Sequence, residues 1–137
     1  MPNDKAQQRA IASPLVRIVR CEVKIMPRNM SFAITTEQFI NRTKTVTRRF
    51  GWGFLKPGDV VCGVEKAMGL KKGEKIKRLG MIRIVSIRSE PLESISSDDV
   101  VKEGFPSWEP EHFIHMICSH YGCSRESLIN RIEFEYI

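Results

Sequence analysis

The chain has no apolar run near the roughly 20 residues that a membrane-spanning helix needs, which argues against a transmembrane segment. Its basic start lacks the apolar stretch of roughly 7–15 residues, ending in small residues, that marks a secretory signal. A cytoplasmic protein is therefore expected. The four cysteines, Cys21, Cys62, Cys118 and Cys123, include no C-x-x-C pair and read as reduced, mostly buried thiols. His115-x-x-Cys118-x-His120-x-x-Cys123 invites a metal reading, but on a helix His120 turns away from His115 and Cys118. No second cluster completes a zinc spacing, so neither a metal nor any other cofactor is expected. Internal repeats and low-complexity linkers are missing too, and 137 residues suit one domain with a real core.

Charge of one sign is also scarce where it would matter. The net charge is +6, but residues 1–30 hold six basic against two acidic side chains, a net of +4. Residues 31–137 hold sixteen against fourteen, a net of +2. Bulk charge is thus weak support for a nucleic-acid surface on the main domain. The division expected is a basic, partly disordered N-terminal extension over 1–29 and a folded domain over 30–137.

The chemistry concentrates in Lys44-Thr45-Val46-Thr47-Arg48-Arg49, with Glu103 at an expected helix end about sixty positions later. An amine beside a hydroxyl can activate it as a nucleophile, and a carboxylate can orient or tune the amine. Adjacent arginines favour anionic or planar polar ligands such as phosphates and bases. On an unrelated chain the same cations would be a solvated strand face, and the threonines ordinary strand residues. Trp52 and Trp108 read either as core or as the lips of a pocket on which a base stacks; Trp52 is grouped with Lys44, Arg48 and Arg49 as ligand-binding.

Residues 1–13 are polar and lack a core face, whereas 15–25 alternate weakly as an extra strand. Met30–Ile34 reads as a strand. Thr35 with Gln38 three residues on forms a capping-box pattern opening a short helix over 36–42, with Phe39 and Ile40 facing the core. Lys56-Pro57-Gly58-Asp59 is a turn before a strand over 60–64, and residues 69–75 form a charged loop. A strand carrying Met81, Ile82, Ile84, Val85 and Ile87 follows. A helix capped by Ser96 or Ser97 runs to about Lys102, with Gly104 as its stop. A second runs from Glu109–Pro110 to about Tyr121 before Gly122. Ile132, Phe134 and Tyr136 alternate in the last strand. These elements predict an α+β protein: a small, mostly antiparallel β-barrel flanked by short helices.

Lys44 to Arg49, the Lys56–Asp59 turn and the segment from Ile95 to Glu103-Gly104-Phe105 together resemble an ASCH domain over about residues 30–137. The resemblance implies a PUA-like β-barrel that binds RNA or a nucleoside or nucleotide in a basic cleft. The family pattern Gly-x-Lys-x-x-x-x-Arg falls on Arg42, Lys44 and Arg49, with Arg42 in place of the glycine. If a positive φ is needed there, Asn41 or Arg42 must supply it.

One branch, the small bacterial N4-acetylcytidine amidohydrolases, uses a Lys, a Thr three residues on and a distant Glu, which match Lys44, Thr47 and Glu103. The match implies that Lys44, desolvated at the barrel mouth, accepts the Thr47 proton, and that Thr47 attacks an amide carbonyl. Arg48, Arg49 or backbone amides would stabilise the oxyanion, and Glu103 would orient the lysine. That scheme needs no cofactor. It contains a tension, because a nearby carboxylate raises the lysine pKa that burial lowers. The aromatic-rich opening segment of that branch has no clear counterpart beyond Phe32 and Phe39. A ribonuclease is a third reading, but none of His112, His115 and His120 has an evident partner.

Overall fold

The structure is a computed structural model and describes residues 27–137. The polar stretch over 1–13, the strand expected over 15–25 and Cys21 lie outside the described residues. Five strands, β1 (Arg28–Ser31), β2 (Val46–Arg49), β3 (Val60–Val64), β4 (Arg78–Pro91) and β5 (Leu128–Tyr136), form one sheet in the order β1-β3-β4-β5-β2. Among the described residues only the β1–β3 pair is parallel, and the other three pairings are antiparallel. The sheet curls into a half-barrel, with the helices α1 (Thr36–Ile40), α2 (Ser97–Lys102) and α3 (Pro110–Tyr121) at its margins. This is the small, mostly antiparallel α+β architecture that the sequence pattern predicts. Among the described residues no helix is long and apolar enough to cross a membrane.

Alternation sets the register. Ile82 pairs with Tyr136 and Ile84 with Phe134, so the apolar side chains of β4 and β5 share one face. The register then slips between Ile84 and Ser86, and Ile87 pairs with Ile132. Ile87 is an odd number of positions from Ile84, and the bulge returns it to the core face while leaving Val85 exposed. Phe32, Phe39 and Phe134 fill the concave side, with the first two ring centroids 4.5 Å apart. Each such burial removes a ring from water at a gain of roughly 2–3 kcal/mol. A second apolar cluster, with Val100, Phe113, Ile117 and Ile129, packs α2 and α3 against the end of the sheet.

Three local expectations need correction. Ile40 is 55% exposed, because α1 has only five residues and packs the face that carries Phe39. Thr35 makes no side-chain cap; the hydroxyl of Thr36 instead donates to the Phe32 carbonyl at 2.8 Å. The first strand begins at Arg28, two residues ahead of the boundary at 30. The other helix ends follow the sequence. Ser96 accepts from the Asp99 amide at 3.2 Å, Pro110 opens α3, and Gly122 closes it at φ 66°.

Candidate functional site

Several local features bring Lys44 and Glu103 together. Arg42 takes φ 62°, the left-handed conformation demanded where the pattern's glycine is missing, and so turns the chain sharply after α1. The Thr45 amide then donates to the Lys102 carbonyl at 2.8 Å, and the Phe134 amide donates to the Thr45 carbonyl at 2.9 Å. The Tyr136 hydroxyl donates to the Lys44 carbonyl at 2.5 Å. On the opposite side, Gly104 ends α2 at φ 104°, and a Cβ there would stand 2.7 Å from Gln38 Cγ. Only glycine lets the end of α2 lie this close to α1, and that approach carries Glu103 onto Lys44.

The contact is direct. Lys44 Nζ donates to Glu103 Oε1 at 2.7 Å and to the Glu103 backbone carbonyl at 2.9 Å. Arg48 donates to Glu103 Oε2 at 3.0 Å, to Asp99 Oδ2 at 2.7 Å and to Glu90 Oε2 at 2.8 Å. Arg131 closes the chain of contacts with a forked pair of bonds to Asp99, at 2.6 and 3.1 Å. With Arg88 on Glu90 at 2.8 Å and Glu133 on Arg131 at 3.6 Å at the rim, four cations meet four carboxylates, and Lys44, Arg48 and Glu103 are all 3% exposed or less. Such mutual satisfaction is what permits charges below a protein surface. One group stays unmatched: the buried Arg48 Nε–H has no partner among the described residues.

The network polarises its members unequally. Burial lowers the Lys44 pKa from its ordinary value, and the Glu103 carboxylate opposes that shift without reversing it. Burial also works against the Arg48 charge, but the hydrogen bonds it donates to Asp99, Glu90 and Glu103, together with the Glu103 charge, raise its pKa overall. The Arg131 hydrogen bonds, aided by Arg48, hold Asp99 well below the ordinary carboxylate range.

Above this network opens a pocket of about 170 Å³. Lys44, Thr47, Arg49 and Glu103 supply polar lining, while Phe32, Phe105, Phe113 and Tyr121 are among its aromatic walls. Arg49 Nε donates to Thr47 Oγ1 at 3.0 Å, and the Arg49 guanidinium lies 4.7 Å from the centroid of the Phe32 ring. The three residues matched to an amidohydrolase triad therefore share one pocket, as do Arg48 and Arg49. Arg48 contributes to the floor with a side chain that is already committed to three carboxylates.

Trp52 lies elsewhere: it packs on the edge of the main core, with Phe54 at 5.6 Å between ring centroids. Trp108 stacks on Phe105 at 4.2 Å and joins the second core cluster. Among the histidines, His120 lines the pocket, while the ring of His112 accepts from the Glu109 amide at the start of α3. No three His, Cys, Asp or Glu side chains converge as a metal-binding group among the described residues.

Sequence reasoning missed Asp99, Glu90 and Arg131. Asp99 had a signal: it precedes Glu103 by four positions, so one face of α2 carries both carboxylates. Glu90 and Arg131 had none, because only the pairing of β5 with both β2 and β4 brings them beside Arg48.

No protein-family model matches the sequence, and no curated protein does. Among solved structures, a DUF984-family protein from Enterococcus faecalis superposes with a TM-score of 0.57 at 16% identity, covering 82% of this chain and 77% of its own. An ASCH domain from Lactobacillus crispatus superposes with a TM-score of 0.50 at 15% identity, covering 80% of this chain and 78% of its own. At such identities the likeness is one of backbone, and it agrees with the curled sheet and marginal helices already described. The chain has an ASCH-like fold.

Proposed function

We propose that this domain binds a single nucleobase-sized ring, as a free nucleoside or as an unstacked base of RNA, in the pocket above Lys44 and Glu103. The observation that carries this reading is the combination of size and lining. An apolar cavity of about 150 Å³ holds one benzene ring, and this pocket of about 170 Å³ has aromatic walls and a polar floor. A base offers a π-face to Phe105 or Tyr121 and an edge of donors and acceptors to Lys44, Thr47, Arg49 and Glu103. A stretched RNA strand would need a longer run of uncompensated cations than this floor supplies. The described cysteines, Cys62, Cys118 and Cys123, are thiols, which suits a cytoplasmic setting.

A second reading, hydrolysis of an N4-acylated cytidine-like nucleoside, is favoured by the lowered pKa of Lys44. In its neutral form Lys44 takes the Thr47 hydroxyl proton as Oγ1 bonds to the acyl carbon. Collapse of the tetrahedral adduct breaks the C–N bond, and Lys44 returns the proton to the departing amine. Water then cleaves the threonyl ester to release the carboxylic acid and restore the hydroxyl. Arg49 Nε holds Thr47 Oγ1 in place, and Glu103 positions the lysine. At rest, however, Lys44 gives two of its three N–H groups to Glu103, the arrangement of an ammonium that binds rather than of a free base.

One experiment tests both readings. Wild type and Thr47→Ala are titrated with cytidine and incubated with N4-acetylcytidine. Saturable cytidine binding supports the first reading, and its absence up to millimolar concentration refutes it. Turnover that falls on the order of 10³-fold or more in Thr47→Ala supports hydrolysis. Turnover that survives the substitution removes Thr47 as the nucleophile.

A further inference from the structure

The charge balance of the pocket says more about its occupant than its size does. Lys44 and Arg48 are matched by Glu103, Asp99 and Glu90, and with Arg131, Arg88 and Glu133 the network holds four charges of each sign. Arg49 differs. No carboxylate lies within 4.0 Å of it among the described residues, and its side-chain hydrogen bond there goes to the neutral Thr47 hydroxyl through Nε. Its four terminal N–H groups have no protein acceptor among the described residues, and neither terminal nitrogen is among the fully enclosed unpartnered atoms. They therefore open onto the pocket that Arg49 lines.

Two contacts fix the plane of this guanidinium before any ligand arrives. The Nε–H is tied to Thr47 at 3.0 Å, and the Phe32 ring supports the group at 4.7 Å. A planar fork held this way has lost little further freedom when it meets two oxygens of one group. Lys44 and Arg48 each have a carboxylate partner within the network, whereas Glu103 reaches Arg49 only by longer-range attraction, so Arg49 is the cation left to meet a ligand.

We propose, on the premise that this pocket is the ligand site, that its ligand is a ring bearing one oxyanion, a carboxylate or phosphate, bound bidentately by the Arg49 terminal nitrogens. The ring faces the aromatic wall and the oxyanion faces Arg49. A charge-assisted bidentate contact in a partly dry site favours the charged ligand by about tenfold to a hundredfold over its neutral analogue.

The test is isothermal titration of the full chain at pH 7 with four probes: cytidine, cytidine 5′-monophosphate, orotate and benzoate. The expected result is that an oxyanion-bearing probe binds at least about tenfold more tightly than cytidine in wild type. That preference is expected to disappear in Arg49→Gln and to persist in reduced form in Arg49→Lys, which keeps the charge without the fork. Circular dichroism confirms that each variant is folded, and Arg49→Lys carries the test if Arg49→Gln is not. Equal binding of cytidine and its monophosphate, with orotate no tighter, overturns the oxyanion while leaving the nucleoside reading standing. Benzoate binding without any nucleobase probe overturns the nucleoside reading and supports the oxyanion. A preference for anions that survives in Arg49→Gln, or no binding by any probe to millimolar concentration, overturns the proposal. A phosphate source and a carboxylate source are told apart by which of the monophosphate and orotate gains.

Discussion

Glu103→Gln deletes one charge from the centre of the buried network, and its cost follows from the contacts that remain. Glu103 is 2% exposed and presents one oxygen to Lys44 at 2.7 Å and the other to Arg48 at 3.0 Å. Arg48 keeps Asp99 and Glu90, so little of the loss falls on it. Lys44 keeps the residue-103 backbone carbonyl at 2.9 Å and gains only a neutral amide oxygen in place of the carboxylate. Removing one partner of a buried ion pair costs about 3–5 kcal/mol, and the surviving acceptors place this case at the lower end, about 3 kcal/mol at pH 7.

The cost is also bounded, because Lys44 can shed its proton. Burial already lowers its pKa below the ordinary 10.5, and Glu103 is the principal group holding it up. In Glu103→Gln the folded-state pKa falls further while the unfolded value does not move. The folded variant then binds fewer protons than folded wild type over that window, so its deficit shrinks as pH rises. Urea denaturation at pH 7 and pH 9 reads this out, with a midpoint loss of about 1–2 M at pH 7 and a smaller loss at pH 9. Adding Lys44→Met removes the stranded cation and should recover most of the stability, giving a coupling energy of about 2 kcal/mol or more. A deficit under about 1 kcal/mol that is equal at both pH values would refute a buried, mutually dependent pair.

Further predictions follow from single contacts. Gly63→Ala places a Cβ 2.4 Å from the Phe39 ring, which other aromatics confine, so thermal melting should show a loss of about 1–3 kcal/mol. Arg42→Gly relieves about 1 kcal/mol of left-handed strain but gives up the guanidinium lying 5.3 Å from the Tyr136 ring, so its melting temperature should stay within a few degrees of wild type. Asp99 has a folded-state pKa below its unfolded one, so its stabilisation is present above about pH 4 and is lost as pH falls through the lower value. Acid denaturation of Asp99→Asn should therefore begin from lower stability at pH 7 and show a shallower pH dependence than wild type.

The fold was legible because its signals are local. Alternating Ile132, Phe134 and Tyr136, the Ser96 cap, Pro110 at the start of α3 and Gly122 at its end each act within a few residues. Ile40 misled because a five-residue helix has too few turns to fix which apolar side chain faces inward. The pocket residues Lys44, Thr47, Arg49 and Glu103 were found by chemical type and by resemblance. That Arg48 pairs with three carboxylates, and Arg49 with none within 4.0 Å among the described residues, was beyond sequence reasoning. The difference arises from β2–β5 and β4–β5 register, which places Arg131 and Glu90 around one arginine and leaves its neighbour facing the pocket.

That asymmetry sets what salt should do to RNA binding. For single strands, log K falls with log salt at a slope of about −0.7 per phosphate contacted. If an RNA presents one unstacked base to the pocket, with Arg49 as the only uncompensated cation lining it among the described residues, the slope should be close to −0.7. A flat basic surface touching four or more phosphates would give about −3 or steeper. Lys5, Arg9, Arg17, Arg20 and Lys24 precede the described residues and could supply such contacts. Fluorescence anisotropy of the full chain with a short single-stranded RNA between 50 and 200 mM salt, roughly the span over which multi-phosphate binders weaken most visibly, therefore separates the two. A shallow slope abolished by Arg49→Gln assigns recognition to the pocket. A steep slope that Arg49→Gln leaves unchanged assigns it to the basic N-terminal residues, and the pocket would then serve a free small molecule.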